Sequence, residues 1–281
     1  MEKLVLDRVS CHVTSKCNLR CNKCSAYIPE LYALPSIPMY TLEQMKNSFK
    51  VYFEMVESVR MISLSGGEPF LFSELDKLVD FLLTYEDRFK KLEIFTNGTL
   101  PVSDNLLNSS VKNEKISFLI DNYGPAVSKK VDAVEEALKN AGISFKTRKY
   151  YGSDVHMNGW HDYGISSEKK ANAAEAKFRY EKCYGGVNGN MLCTIFGTRL
   201  FLCPLAEVGR RIGRIPLNDT LFIDLSEEKT SIEEKLDRFR SMLAVDYNPA
   251  CAYCNGSGVY DNEPRYTPGE QLTQVKGAPH D

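Results

Sequence analysis

The stretch LVLDRVSCHVTSKCNLRCNKC, residues 4–24, runs a strand-like alternation straight into three closely spaced cysteines. Apolar and polar residues alternate from Leu4 to Val13, the pattern of a half-buried strand. Cys17, Cys21 and Cys24 follow with the spacing C-x3-C-x2-C. A cubane iron–sulfur cluster normally takes a thiolate at each of its irons. Three thiolates leave one iron open, by the logic that leaves an open position in a catalytic zinc site. Zinc is the weaker reading, because no Cys or His follows the trio before His156, and His12 precedes it on the strand.

Working outward, strand-like and helix-like segments alternate as far as Tyr151. Thr41 with Gln44 is a capping-box signature opening a helix over LEQMKNSFKVYFEMVES (42–58). MISLS (61–65) is a short strand ending on Gly66-Gly67, and Ser73 with Asp76 opens the next helix through LDKLVDFLLTY (75–85). KLEIFTNG (91–98) and KISFLIDNYG (115–124) are further strands. KKVDAVEEALKNAG (129–142) is an amphipathic helix that Gly142 stops, and ISFKTRKYY (143–151) closes the series. Five strands alternating with helices predict an α/β fold, a parallel sheet with right-handed crossovers. Functional groups are expected at the C-terminal ends of its strands.

At 281 residues, 43% hydrophobic and 26% charged, the chain can bury a core without covalent staples. A formal net charge of -2 predicts no electrostatic draw toward nucleic acid or anionic membrane. No apolar run approaches the roughly 18 residues of a membrane span, and the N-terminus does not read as a signal peptide. A cytoplasmic protein is expected, in which nine cysteines argue against a disulfide framework.

The second half has a different texture. GSDVHMNGWHDYGISS (152–167) is a loop carrying His156, His161 and the only tryptophan, and a helical stretch follows it. MLCTIFGTRLFLC (191–203) reads as a hairpin turning near Gly197-Thr198. A charged helix over roughly 226–245 leads to CAYC at 251–254, and the tail from Asp261 holds little apolar material and is expected to be mobile. Cys183, Cys203, Cys251 and Cys254 make a second set, C-x19-C-x47-C-x2-C. Cys193 lies between Cys183 and Cys203 and has three readings: a substitute ligand, a hydrogen-atom donor, or a small buried residue.

The cysteine trio after strand one, SGGEP (65–69), FTNG (95–98) and IDNYG (120–124) together resemble the radical S-adenosylmethionine superfamily over residues 4–151. The resemblance implies a partial (β/α) barrel of five to six parallel strands, with Cys17, Cys21 and Cys24 on a [4Fe–4S] cluster. The open iron would bind the amino and carboxylate groups of S-adenosylmethionine. Ser65, Gly66, Gly67, Glu68 and Pro69 would bound the methionine site, with Glu68 anchoring its loop, and Asn97 would stand at the end of strand three. Asp121 and Asn122 would bind the ribose hydroxyls, or else cap a turn. The family often has an aromatic residue before its third cysteine; here it is Lys23, which leaves Tyr27 or a later side chain to cover the adenine.

The second set resembles a small C-terminal twitch-type auxiliary domain, in which Cys183, Cys203, Cys251 and Cys254 would hold a second [4Fe–4S] cluster, with structural zinc as the rival. The implied division is 1–165 for the radical domain, 166–260 for the auxiliary domain and 261–281 for the tail. Chain length and auxiliary spacing resemble the superfamily's two-cluster aminocyclitol dehydrogenases. The implied reaction is oxidation of a carbinol to a ketone on a sugar, aminocyclitol or nucleoside-like metabolite, with flavodoxin or ferredoxin as electron donor. The short stretch before Cys17 leaves no room for a peptide-recognition domain ahead of it. The alternatives are a radical epimerase using Cys193, a peptide-modifying maturase and, from another class, a non-catalytic electron carrier. Arg148 near the end of strand five, and His156 and His161 as proton acceptors, are the catalytic candidates; each histidine is equally readable as a structural loop residue.

Overall fold

The computed structural model describes residues 2–186, 193–216, 219–260 and 262–273. Strands β1 (Leu4–Thr14), β2 (Val56–Gly66), β3 (Phe89–Thr96), β4 (Ile116–Asn122) and β5 (Ser144–Lys149) lie parallel, each paired to the next. A sixth parallel strand, β6 (Cys193–Phe196), pairs with β1 on its other side. The antiparallel β7 (Arg199–Phe201) and β8 (Phe222–Asp224) extend the same sheet, giving the order β5-β4-β3-β2-β1-β6-β7-β8. The expected hairpin is therefore present, and it continues the barrel sheet across residue 165 instead of beginning a sheet of its own.

Helices α2 (Leu42–Met55), α3 (Leu75–Leu83), α4 (Asp104–Ser110) and α5 (Val131–Asn140) follow β1 to β4 in turn, and α8 (Ile232–Leu243) packs beside α2. The capping box forms: Thr41 Oγ1 accepts from the Gln44 amide at 3.2 Å, and Gln44 Oε1 accepts from the Thr41 amide at 3.0 Å. Gly142, at φ +69°, closes α5 in a Schellman arrangement, with Ile143 N–H donating to Leu138 C=O at 2.9 Å. The Ser73 cap does not form. Glu74 takes the N-cap position of α3 without a side-chain bond, because a 3-10 turn at Pro69–Leu71 leads straight in and Phe72 C=O accepts from Leu75 N–H.

The strand alternation sorts the two faces. Val9, Cys11 and Val13 of β1, with Ile62 and Leu64 of β2, join the core under the helices, and each such side chain contributes about 1.5–3 kcal/mol by burial. Arg8, Ser10, His12, Ser63 and Ser65 face the other way, into a cavity. A second core joins the cysteine loop to the C-terminal part: α1 (Ile28–Tyr32) packs with Phe196, Phe201, Leu205 of α7 (Pro204–Arg211), Phe222 and Cys254.

The tail reading needs correction for residues 262–273, which run back over the cysteine loop. Asn22 N–H donates to Glu270 C=O at 2.6 Å, Leu272 N–H donates to Arg20 C=O at 2.8 Å, and Trp160 and Tyr266 exchange two main-chain bonds of 2.9 Å each. Backbone pairing holds the segment, and composition carries no trace of that. Among the described residues no helix is long and apolar enough to cross a membrane.

Candidate active site

Because β5 and β6 lie on opposite sides of β1–β4, the chain between them must pass across the sheet. It does so at the C-terminal strand ends, where Trp160, Tyr163, Tyr180 and Cys183 help enclose a cavity of about 430 Å3. Cys17, Cys21 and Cys24 line this cavity, and so do Cys183, Cys203, Cys251 and Cys254. Both cysteine sets face one space.

The first set sits on the loop leaving β1. A Cβ on Gly66 would stand 2.4 Å from Thr14 C=O, and one on Gly67 would stand 2.1 Å from Lys16 C=O, so only glycine admits this contact between strand ends. Gly67 N–H and Glu68 N–H donate to those two carbonyls at 2.7 and 2.8 Å. Ser65, Gly66, Gly67 and Pro69 line the cavity, while Glu68 turns away from it and is fully buried. The Glu68 carboxylate accepts from Phe70 N–H (3.0 Å), Thr96 Oγ1–H (2.9 Å) and Asn97 N–H (2.7 Å), which ties β2 to β3 as an anchor should. Burial nevertheless raises its pKa to about 7.

Donors point at the sulfurs. Leu19 N–H lies 3.4 Å and Asn97 Nδ2 3.7 Å from Cys17 Sγ, and Gln271 Nε2 lies 3.2 Å from Cys21 Sγ. Burial pushes the Cys17 and Cys21 thiols up to about 12, so binding iron must displace their protons.

The second set is gathered from three places. Cys183 caps the end of α6 (Ala173–Lys182), Cys203 starts α7, and Cys251 and Cys254 lie in and just after a 3-10 turn at Pro249–Tyr253. Gly185 N–H and Gly256 N–H approach Cys183 Sγ and Cys254 Sγ at 3.4 and 3.3 Å. Arg179 Nη1 donates to Cys254 C=O at 2.6 Å, while its buried Nε has no hydrogen-bond partner among the described residues. Burial raises the Cys203 and Cys254 thiols to about 12. Among the described residues no three Cys, His, Asp or Glu side chains converge closely enough to hold a single metal ion. With N–H groups of Leu19, Asn97 and Gln271 directed at their sulfurs, the thiols of the first set fit the cluster that the sequence motif implies.

The strand ends carry polar groups. Asp121 and Arg148 line the cavity and form a bidentate pair, Nε–Oδ1 2.6 Å and Nη2–Oδ2 2.7 Å. Each carboxylate oxygen retains accepting capacity for a hydroxyl. Asn122 is the turn cap: its Oδ1 accepts from Gly124 N–H at 2.9 Å, and it does not line the cavity. Asn97 does line it.

Three catalytic candidates do not reach the cavity. His161 is bound by Glu263 through Nδ1 at 2.6 Å and by Arg265, which makes it a tie to the C-terminal segment. His156 packs edge-on against Tyr150 at 5.4 Å, outside the lining, and burial together with Arg148 lowers its pKa. Cys193 joins the core with Cys11 under the helices, because the next residue on β6, Thr194, takes the cavity face. Its core reading stands, and its ligand and hydrogen-donor readings lack the geometry. Tyr27 is likewise buried in the second core, its hydroxyl accepting from Ile165 N–H, and Lys23 pairs with Asp162 at 2.6 Å.

Sequence reasoning missed the cavity floor. Register places Thr194, Ser10 and Ser63 side by side on β6, β1 and β2, with His12 and Ser65 one step above. Arg8 Nε donates to Ser63 Oγ at 3.4 Å, and Thr194 Oγ1 is buried without a hydrogen-bond partner among the described residues. The alternation Arg8, Ser10, His12 within β1 is the signal that was there to be read.

A family model described as the Radical SAM superfamily matches residues 11–151. The GTP 3′,8-cyclase of Sulfurimonas denitrificans is 30% identical over 156 residues, 55% of this chain and 46% of that protein. The GTP 3′,8-cyclase of Aquifex aeolicus is 34% identical over 87 residues, 31% of this chain and 26% of that protein. In both cases the chain spans less than half the length of the curated relative. Among solved structures, BtrN in complex with AdoMet and 2-DOIA matches with a TM-score of 0.54 at 16% identity, over 97% of this chain and 100% of that one. At that identity the likeness bears on the fold, and it runs through both halves of the chain.

Proposed function

The chain belongs to the radical S-adenosylmethionine superfamily, and from that premise we propose that it oxidises a carbinol carbon of a small polyhydroxylated metabolite to a ketone. Membership implies a [4Fe–4S] cluster and S-adenosylmethionine, and Cys17, Cys21 and Cys24, which lie in the matched segment and line the cavity, would be the cluster's ligands. The second cluster, on Cys183, Cys203, Cys251 and Cys254, is part of the proposal. Held by Cys17, Cys21 and Cys24, the first cluster would supply the electron for reductive cleavage of S-adenosylmethionine, and a second on Cys183, Cys203, Cys251 and Cys254 would supply an acceptor for the electron released in oxidising the carbinol.

The observation that carries the reading is that both cysteine sets line one cavity. A substrate held there has a radical source on one side and an electron acceptor on the other. The protein's own groups supply the rest. Gly66 and Gly67 let the loop backbone approach the methionine end, and the Asp121 carboxylate, held by Arg148, offers acceptors for ribose hydroxyls. Tyr123 and Trp160 give the cavity aromatic faces, and Ser10, Ser63 and Thr194 give it a floor of hydroxyls. The unpartnered Thr194 Oγ1 fits a polar substrate, since a buried hydroxyl without a partner costs about 1–3 kcal/mol. These features agree with the resemblance to 2-deoxy-scyllo-inosamine dehydrogenase, and a low-potential donor such as flavodoxin or ferredoxin would feed the first cluster.

The test is anaerobic incubation with S-adenosylmethionine and a panel of aminocyclitols, sugars and nucleosides. One 5′-deoxyadenosine per carbonyl formed is the expected result. Solvent deuterium in a product of unchanged oxidation state would replace oxidation by epimerisation.

A further inference from the structure

The C-terminal segment reaches the first cysteine loop through one side chain that touches both backbone and sulfur. Gln271 Oε1 accepts from Arg20 N–H at 2.8 Å, while Gln271 Nε2 lies 3.2 Å from Cys21 Sγ and 2.7 Å from Gly269 C=O. Cys21 and Gln271 also face each other as an antiparallel bridge, and Cys21 is only 7% exposed. The fixed carboxamide therefore aims its N–H group at the sulfur.

We propose that Gln271 is a positioning residue that raises the reduction potential of the cluster held by Cys17, Cys21 and Cys24. The proposal rests on the superfamily reading of those cysteines. Reduction adds negative charge that thiolate sulfurs share, so a donor fixed on Cys21 Sγ stabilises the reduced state more than the oxidised one. The donor comes from a segment that also pairs with Trp160 through Tyr266 and packs Gly269 on Tyr123, and both aromatic residues line the cavity. The cluster loop and the cavity rim thus share one strap.

The test is a redox titration of the full chain after anaerobic iron–sulfur reconstitution, followed by electron paramagnetic resonance. The relevant signal is the one that changes when S-adenosylmethionine is added. Gln271→Leu removes the side chain's polar contacts without adding charge, whereas Gln271→Glu keeps the acceptor for Arg20 N–H, loses the donor and adds a negative charge beside Cys21 Sγ. Glu270→Ala is the control, since the bond from Asn22 to its main-chain carbonyl survives. Gln271→Leu should show an equilibrium constant for reduction about tenfold smaller, about 59 mV for one electron, and Gln271→Glu a larger fall because of its added charge, with Glu270→Ala titrating as wild type. Variants loaded to the wild-type iron content that titrate with the wild type overturn the proposal. So does loss of iron from both variants with circular dichroism unchanged, because the bond then retains the cluster without tuning it. If Gln271→Leu alone loses iron, Gln271→Met, equally neutral and without the donor, takes its place. A wild-type chain that takes up no cluster at this trio overturns the superfamily reading of the site itself.

Discussion

Cys17, Cys21 and Cys24 occupy one short loop between β1 and α1, whereas Cys183, Cys203, Cys251 and Cys254 arrive from the end of α6, the exit of β7 and a turn beyond α8. The first set is positioned by what lies beside it: Gly66 and Gly67 against the strand exit, Glu68 behind them, Asn97 and Gln271 on the sulfurs. The second is positioned by chain topology, since its segments lie far apart in sequence and meet where α6 packs on the turn at Pro249–Tyr253 and where α7 joins the second core. A local loop can keep its shape without metal. A site assembled from distant segments would gain more of its order from a ligand that joins them, so under the proposal its folding and its metal binding would be coupled.

The largest expected effect comes from breaking the local set. Cys17→Ala/Cys21→Ala/Cys24→Ala should bring 5′-deoxyadenosine formation down to background, while the melting temperature moves by only a few degrees. Cys251→Ala/Cys254→Ala should separate the two sets. Under a chemical reductant the variant should still cleave S-adenosylmethionine, yet form no carbonyl product, and it should melt lower than the first variant. If it loses cleavage altogether, the division of labour between the sets is wrong.

Glu68 sharpens the comparison through pH. Burial raises its carboxyl from 4.5 to about 7, so the folded chain holds that proton more tightly than the unfolded chain does. Stability contributed by this group is fully present below about pH 4.5 and lost as pH rises through about 7. Relative to wild type, Glu68→Gln should gain about 3 kcal/mol across that interval, measured by urea unfolding at several pH values. A parallel pair of stability curves would contradict the anchor's electrostatics. The smallest effects belong to residues outside the cavity. Cys193→Ala should leave substrate turnover within about twofold of wild type, at about 1 kcal/mol of stability. Lys23→Ala, which breaks a half-exposed pair, should cost under about 1 kcal/mol.

Legibility in the sequence followed the same division. Contiguous signals carried over: the capping box at Thr41, Gly142 as a helix stop and the hairpin turning at Gly197 all have the expected structural roles. Signals that depend on which strand lies beside which did not. Nothing local says that β6 docks on β1, and that pairing sends Cys193 to the core and Thr194 to the cavity. His161 looked catalytic because its partner Glu263 lies about a hundred residues away, in a segment whose composition suggested a mobile tail. Gln271 went unseen for the same reason. The short α1, α4, α7 and β8 were also missed; Pro204 at the start of α7 was the usable cue.

The central claim is that two iron–sulfur sites face one cavity, and iron counting after anaerobic reconstitution addresses it most directly. Wild type should hold about eight irons, and either the Cys17/Cys21/Cys24 triple variant or the Cys251/Cys254 variant should hold about four. A wild type with about four irons, falling to none in the triple variant and unchanged in the other, would contradict the claim. It would leave one cluster, no built-in acceptor, and a redox-neutral reaction in place of the oxidation.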